Sequence, residues 1–271
     1  MIVTLLTDFG LADHYVGVMK GVLLSVDARI RVVDLTHEIV PGGIDAGAFA
    51  LLSAYSYFPA GTVHVAVVDP GVGSETRAIV VAAAGQYFVG PDNGLFSYLL
   101  EVEPQATIRA IGAERFPRLP LSDTFHGRDL FAPVGAAVGT GLAPDRLGPL
   151  WPEPVRLPPL QPRRDARGAL IGRVLHVDRF GNCVTSIGRN DLAAGSGELR
   201  LTVGGQELHE VRRHYGGAAP GTAFLIWGSS ELLEISVNGG SAAALLGVET
   251  GAVVEVVGGG EDHSVSSEVK G

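Results

Sequence analysis

Residues 2–26, IVTLLTDFGLADHYVGVMKGVLLSV, decide the fold class. The first five form an apolar run that stops at Thr7-Asp8-Phe9-Gly10. From residue 13 to 26 apolar side chains return at helical spacing, with Val16, Met19 and Leu23 on one face and Val18 and Val22 beside them. A strand that ends in a Gly turn and hands over to a helix opens an α/β unit. The alternation continues. Residues 30–35 (IRVVDL) read as a second strand and 44–57 as a second helix, rich in Ala and Leu. Residues 64–68 (HVAVV) read as a third strand, closed by Asp69-Pro70-Gly71, and 78–84 with 86–89 as a hairpin around Gly85. This predicts an α/β domain with a largely parallel sheet over residues 1–150. Polar residues fall where its strands end, at Asp8, Asp69 and Asp92-Asn93, and in open α/β sheets those ends bind ligands.

A break follows. Residues 149–165 hold six prolines in seventeen positions, too many for a helix or a central strand. Residues 151–165 therefore read as an extended linker. Beyond it, strand-like runs recur between Gly turns at 170–177, 198–203, 222–227, 232–237 and 252–257, with one short helical signal at 241–246. Residues 166–258 are expected to form a small antiparallel β-barrel domain, and 259–271 a frayed polar tail.

Composition narrows the function. The chain has 271 residues, 46% hydrophobic and 18% charged, which is a globular balance. A net charge of -9 with scattered arginines argues against a nucleic-acid partner. The single Cys183 rules out an internal disulfide and a thiolate metal cluster. The eight histidines lack H-x-x-x-H and H-E-x-x-H spacing, and no D-x-D run of calcium type occurs, so no metal site is expected. No apolar run is long enough to span a membrane, and the first ten residues lack the basic start of a signal peptide. The expectation is a soluble cytoplasmic protein.

Five clusters have the chemistry to form a site. In the first, Asp8 has the acceptors for a sugar diol, and Asp13 suits either an ammonium group or the cap of the following helix. In the second, Asp69 ends an apolar strand before two glycines, and Arg77 starts the next strand. Taken alone, that pair reads first as a surface turn with one ion pair, and second as a site. In the third, His126 stands beside Gly127 between Pro120 and Pro133, which reads as a loop histidine open to pKa tuning. The fourth is Asp178-Arg179-Phe180-Gly181-Asn182 and the fifth Ser229-Ser230-Glu231, with Asn238 further on. An aromatic ring beside Asp and Asn suits a stacked base, and it equally suits a hairpin turn with one core Phe.

Seven motifs occur in order: TDFG-x-x-D, DLTH, VVDPGVG-x-x-TR, GPDNGLF, TFHGRD-x-FAP, D-x-FGN and S-x-x-x-EI-x-x-N. Together they resemble the S-adenosylmethionine hydroxide adenosyltransferases, relatives of the fluorinating and chlorinating enzymes. The likeness runs from Thr7 to about Leu246. It implies an N-terminal α/β domain, a C-terminal β-barrel, and a homotrimer whose sites lie between one subunit's N-domain and the next one's C-domain. It also implies hydrolysis of S-adenosylmethionine to adenosine and methionine, with S-adenosylmethionine as substrate and no cofactor. By resemblance Asp69, Arg77 and His126 are the catalytic set, and Asp8 binds the ribose diol. Asp13, Asp178 and Asn182 hold the methionine end, Phe180 stacks on adenine with Tyr215 on the opposite face, and Ser229, Ser230 and Glu231 flank its edge. The halogenating relatives carry Tyr at Asp69, Ser at Gly127 and Trp near Gly42, so this chain follows the water-using branch. A halogenase, a non-catalytic sensor and a metal-dependent hydrolase using Asp8, Asp13 and His126 remain the rival readings.

Overall fold

The computed structural model describes residues 1–112, 121–192 and 199–257. The polar tail expected from Gly259 lies outside the described residues. The chain divides into two compact units, Met1–Pro159 and Leu160–Gly271.

The first unit runs β1 (Ile2–Thr7), α1 (Tyr15–Val26), β2 (Arg31–Thr36), α2 (Ile44–Tyr55), β3 (Val63–Val67), β4 (Ala78–Ala83), β5 (Gln86–Pro91), α3 (Ser97–Val102), β6 (Thr107–Ala110) and α4 (Ala132–Gly139). Its six strands lie in the order β2-β1-β3-β5-β4-β6. The pairs β1–β2, β1–β3 and β3–β5 are parallel, while β4 pairs antiparallel with β5 and β6. The sheet is therefore mixed, with an antiparallel edge on a parallel centre. The β4–β5 hairpin explains that edge: Ala84 and Gly85 both take positive φ, 51° and 71°, as a tight two-residue turn requires.

Helices cover both faces. Val3 and Leu5 of β1 and Val63, Val65 and Val67 of β3 pack in one core with Met19 and Leu23 of α1 and Val134 and Val138 of α4. Leu6, Ala66 and Val68 pack in the other with Leu51 and Tyr55 of α2 and Leu99 of α3. Strand alternation thus feeds two cores at once, and every residue of β3 is buried.

The stretch around Trp151 is tied to this unit. Trp151 Nε1 and the Val155 N–H donate to the two oxygens of Asp92 at 2.8 and 2.9 Å, and the Leu157 N–H donates to Ser97 at 2.8 Å. Proline-rich sequence here supplies an extended strap with spare N–H groups. Further along, Arg163–Arg164 already pairs with a strand of the second unit.

That unit contains β7 (Arg163–Arg164), β8 (Leu170–Val177), β9 (Cys183–Gly188), β10 (Arg200–Val203), β11 (Gln206–Leu208), β12 (Val211–Arg212), β13 (Ala223–Trp227), β14 (Leu232–Val237), α5 (Ala242–Leu246) and β15 (Val253–Val257). The main path is β11-β10-β15-β8-β9-β14-β13-β12, and β7 joins β8. It is a curled sheet, antiparallel except for the β12–β13 pair. The expected barrel is corrected to this extent: the path has two ends, β11 and β12, which share no ladder among the described residues. Strand β9 escapes sequence reading because its hydroxyls point inward. Thr185 donates to the Leu233 carbonyl at 2.7 Å, and Ser186 accepts from the Arg173 N–H at 3.1 Å, so apolar alternation is broken where burial is not.

Candidate active site

Asp8 follows β1 and Asp69 lies just past β3. These strands are parallel neighbours, so their carboxyl ends lie side by side. The loop after β2 joins them: the Gly42 N–H donates to Asp8 Oδ2 at 2.8 Å. Gly42 has φ +75°, and a Cβ on it would stand 3.7 Å from the Pro70 ring. A side chain there is therefore disfavoured by the backbone and faces the loop that carries Asp69.

The Asp69 carboxyl is pushed above the ordinary carboxylate value, chiefly by burial. The neighbouring Asp8 charge adds to that shift, while the Gly71 N–H, 3.2 Å from Oδ1, and the charge of His126 oppose it. Asp8, Asp69 and His126 therefore share one electrostatic environment.

His126 is not in a loop, contrary to the sequence reading. It has helical dihedrals and caps a five-residue π-helical turn, Gly127–Phe131, that runs directly into α4. Pro133, which read as a boundary, sits in α4 just past the π-helical turn. The turn is stapled from below by Asp129. Burial works against its charge, yet Arg128 and Ser122 hold its carboxyl below the usual range, with Arg128 Nε at 2.6 Å and Nη2 at 2.9 Å. Gly127 faces inward: a Cβ there would meet Met19 Sδ at 3.1 Å and the Phe125 and Phe9 rings at 3.2 and 3.4 Å.

Arg77 is placed differently from Asp69's other neighbours. Its guanidinium lies 4.4 Å from the centre of the Trp151 ring, and it is not among the charges that move Asp69. Sequence reasoning missed Trp151, whose only signal was an aromatic residue inside a proline-rich stretch. Asp92 and Asn93 are occupied structurally. Asp92 holds the Trp151 strap, and Asn93 donates to the Val68 carbonyl at 2.8 Å. Asp13 is exposed, and α1 starts at Tyr15 with His14 in the capping position and no side-chain cap bond, so Asp13 does not cap it.

The second unit carries a cavity of about 600 Å³ lined by Asp178, Phe180, Asn182 and Tyr215, with Val237, Gly239 and Gly240 closing it. The Asp178 carboxylate organises the turn: Oδ1 accepts from the N–H groups of Phe180 and Asn182 at 2.9 Å, and Oδ2 accepts from Asn182 Nδ2 at 2.8 Å. This leaves the Phe180 ring 77% exposed beside the cavity. Tyr215 donates to Glu234 at 3.2 Å. Burial pushes the Glu234 carboxyl up, and the Asp178 charge adds to it. Glu234 stands in the S-x-x-x-EI-x-x-N motif without an assigned role, and Gly239 and Gly240 carry no signal beyond the Asn-Gly-Gly turn after β14. Ser229, Ser230 and Glu231 sit at the exposed β13–β14 turn and do not line this cavity. Glu231 is instead paired with Arg189 at 2.9 Å.

Two family models match the chain: the SAM hydroxide adenosyltransferase N-terminal domain over residues 3–148, and the C-terminal domain of the same family over residues 172–255. An (R)-S-adenosyl-L-methionine hydrolase from Thermus thermophilus is 41% identical, covering 93% of this chain and 98% of that protein. A fluorinase from Actinoplanes is more distant, at 26% identity over 75% of this chain and 78% of its own. A solved structure, described as an uncharacterized conserved protein from Thermotoga maritima, superposes with a TM-score of 0.85 at 36% identity, covering 95% of this chain and 100% of that one.

Proposed function

Because the chain belongs to the SAM hydroxide adenosyltransferase family, we propose that it hydrolyses S-adenosyl-L-methionine to adenosine and L-methionine. The observation that carries this reading is the adjacency of Asp8 and Asp69 at the carboxyl ends of β1 and β3, with the Asp69 carboxyl raised by burial and within reach of the His126 charge. Curated relatives named (R)-S-adenosyl-L-methionine hydrolase extend the reading to the R configuration at sulfur.

The sulfonium leaves as a neutral thioether and takes both electrons of the C5′–S bond, so it needs no proton. The barrier lies with water, a weak nucleophile. In this reading Asp69 orients His126, one of the two takes the proton from water, and Arg77 stabilises the hydroxide-like charge. Holding water in line behind C5′ is worth up to roughly 7–11 kcal/mol over a chance encounter and inverts that carbon. One Asp8 oxygen is held by Gly42, which leaves the other to accept from the ribose diol.

The same site disfavours halide. A carboxylate about 4 Å from a bound anion repels it by roughly 4 kcal/mol at an effective dielectric of 20, less whatever Arg77 returns. The tight surroundings of Gly127 also argue against the Ser that the halogenating relatives carry there.

The second unit supplies the other half of the reading. Phe180 and Tyr215 flank the adenine, Asp178, Asn182 and Asp13 meet the methionine ammonium and carboxylate, and Ser229, Ser230 and Glu231 reach the adenine edge from the β13–β14 turn, outside the cavity. The support for Phe180, Tyr215, Asp178 and Asn182 is that they line one cavity, with the Phe180 ring exposed beside it. A homotrimer with sites shared between subunits, and a cytoplasmic location, complete the proposal. No helix among the described residues is long and apolar enough to cross a membrane. Turnover in ¹⁸O-water tests the chemistry: adenosine labelled at the 5′ oxygen supports attack at C5′, and unlabelled adenosine rejects it.

A further inference from the structure

His37 is a buried histidine, 2% exposed, that the reading above does not use. It follows β2, and its ring lies between two polar side chains. Nδ1 lies 2.8 Å from Thr7 Oγ1, and Nε2 lies 3.1 Å from Asp34 Oδ1. That 3.1 Å approach lacks hydrogen-bond geometry, but a lone pair on Nε2 would face the Asp34 charge whereas an N–H there is attracted by it, so the ring proton belongs on Nε2 and Nδ1 is left to accept from the Thr7 hydroxyl. Lys20 holds the other oxygen of Asp34 at 2.6 Å. With its proton given to His37, Thr7 Oγ1 offers its lone pairs to the Phe9 N–H at 3.2 Å. The His37 carbonyl accepts the Gly10 N–H at 2.8 Å. One residue therefore grips both ends of the Asp8-Phe9-Gly10 turn, by its ring through Thr7 and by its own backbone.

We propose that His37 is a positioning residue for Asp8, acting through the Thr7 hydroxyl with its tautomer fixed by Asp34. The inference rests on the reading of Asp8 as the ribose-binding group. Asp8 is held from the far side by the Gly42 N–H. The turn that carries Asp8 is thus fixed by Thr7 and His37 and its carboxylate by Gly42, and loss of either lets it turn away from a diol.

The test is steady-state kinetics of full-length variants on S-adenosylmethionine, with melting curves alongside. Thr7→Val keeps the shape and removes the hydroxyl. It is expected to raise KM about tenfold while kcat stays within about twofold, the signature of one lost hydrogen bond in the binding geometry. Thr7→Ser is expected to restore wild-type KM. In an Asp8→Asn background, Thr7→Val is expected to add almost nothing, because the group it orients is gone. His37→Gln, too short to bridge Thr7 and Asp34 together, reads the same way and replaces Thr7→Val should that variant not fold. A folded Thr7→Val with unchanged KM overturns the inference, as does a full additive loss in the Asp8→Asn background. A wild-type protein that releases no adenosine overturns the functional reading, and the inference with it.

Discussion

Gly73 packs directly against the backbone of Asp123, with no room for a Cβ before the Asp123 carbonyl oxygen, and it adopts φ +77°. The contact joins the loop that carries Asp69 to the segment that carries His126. Backbone on both sides leaves no flexible side chain to yield. Gly73→Ala is therefore expected to cost about 1–3 kcal/mol from left-handed strain and to open this closure as well. Turnover should fall by more than the loss of folded protein explains. Paired melting and initial-rate measurements check this; wild-type turnover in a folded variant counts against the closure.

Asp69 gives a pH signature. Its carboxyl lies above the ordinary 3.8, with burial as the main cause and Asp8 as a contributor. If Asp69 must be ionised to act, the acid limb of kcat/KM sits above the usual carboxylate range. Asp8→Asn removes a repelling neighbour and should move that limb to lower pH. An unmoved limb would assign it to another group. For stability the sign is the reverse of a salt-bridged Asp: the raised group is a liability that grows as pH rises through its shifted value. Asp69→Asn should accordingly melt no lower than wild type at neutral pH while losing turnover.

His64 predicts acid sensitivity of the fold. It is fully buried between the Thr4 hydroxyl at 2.7 Å and Gln86 Oε1 at 2.6 Å, and it stacks on Phe88. Burial pushes its pKa from 6.5 down to about 4. Its contribution is complete above about pH 6.5 and drains as pH falls toward 4, on the order of 3 kcal/mol in all. Urea titrations at pH 7 and 4.5 should show the loss, and His64→Gln should flatten it. A wild-type stability constant over that window would contradict the assignment.

Trp151 separates two roles. Its ring lies under Arg77 and its N–H donates to the buried Asp92. Trp151→Leu loses both, and an unpartnered buried carboxylate oxygen should cost about 1–3 kcal/mol. Trp151→Phe keeps a ring face for Arg77 but not the donor. Melting points should therefore drop in both variants, while kcat recovers in Trp151→Phe alone. Equal kcat in the two would mean that the ring does not serve Arg77.

Legibility followed the physics of each element. Strand β1 and helix α1 could be read because Val16, Met19 and Leu23 fall at helical spacing and are all buried. Asp8 and Asp69 were visible as acids that stop apolar strands. His126 was misplaced because a Gly and a Pro beside it read as loop residues, whereas a π-helical turn accommodates both. Strand β9 was hidden by Thr185 and Ser186, which spend their polarity on backbone partners inside the sheet. The contact between Trp151 and Arg77 links residues far apart in the chain, and no local pattern encodes such a meeting.

The most direct measurement is chromatography of S-adenosylmethionine incubated with purified, metal-stripped protein, with and without chloride. Adenosine and methionine in equal amounts, unaffected by chloride, is the predicted result. A 5′-chloro-5′-deoxyadenosine peak, or bound but intact S-adenosylmethionine, would contradict it.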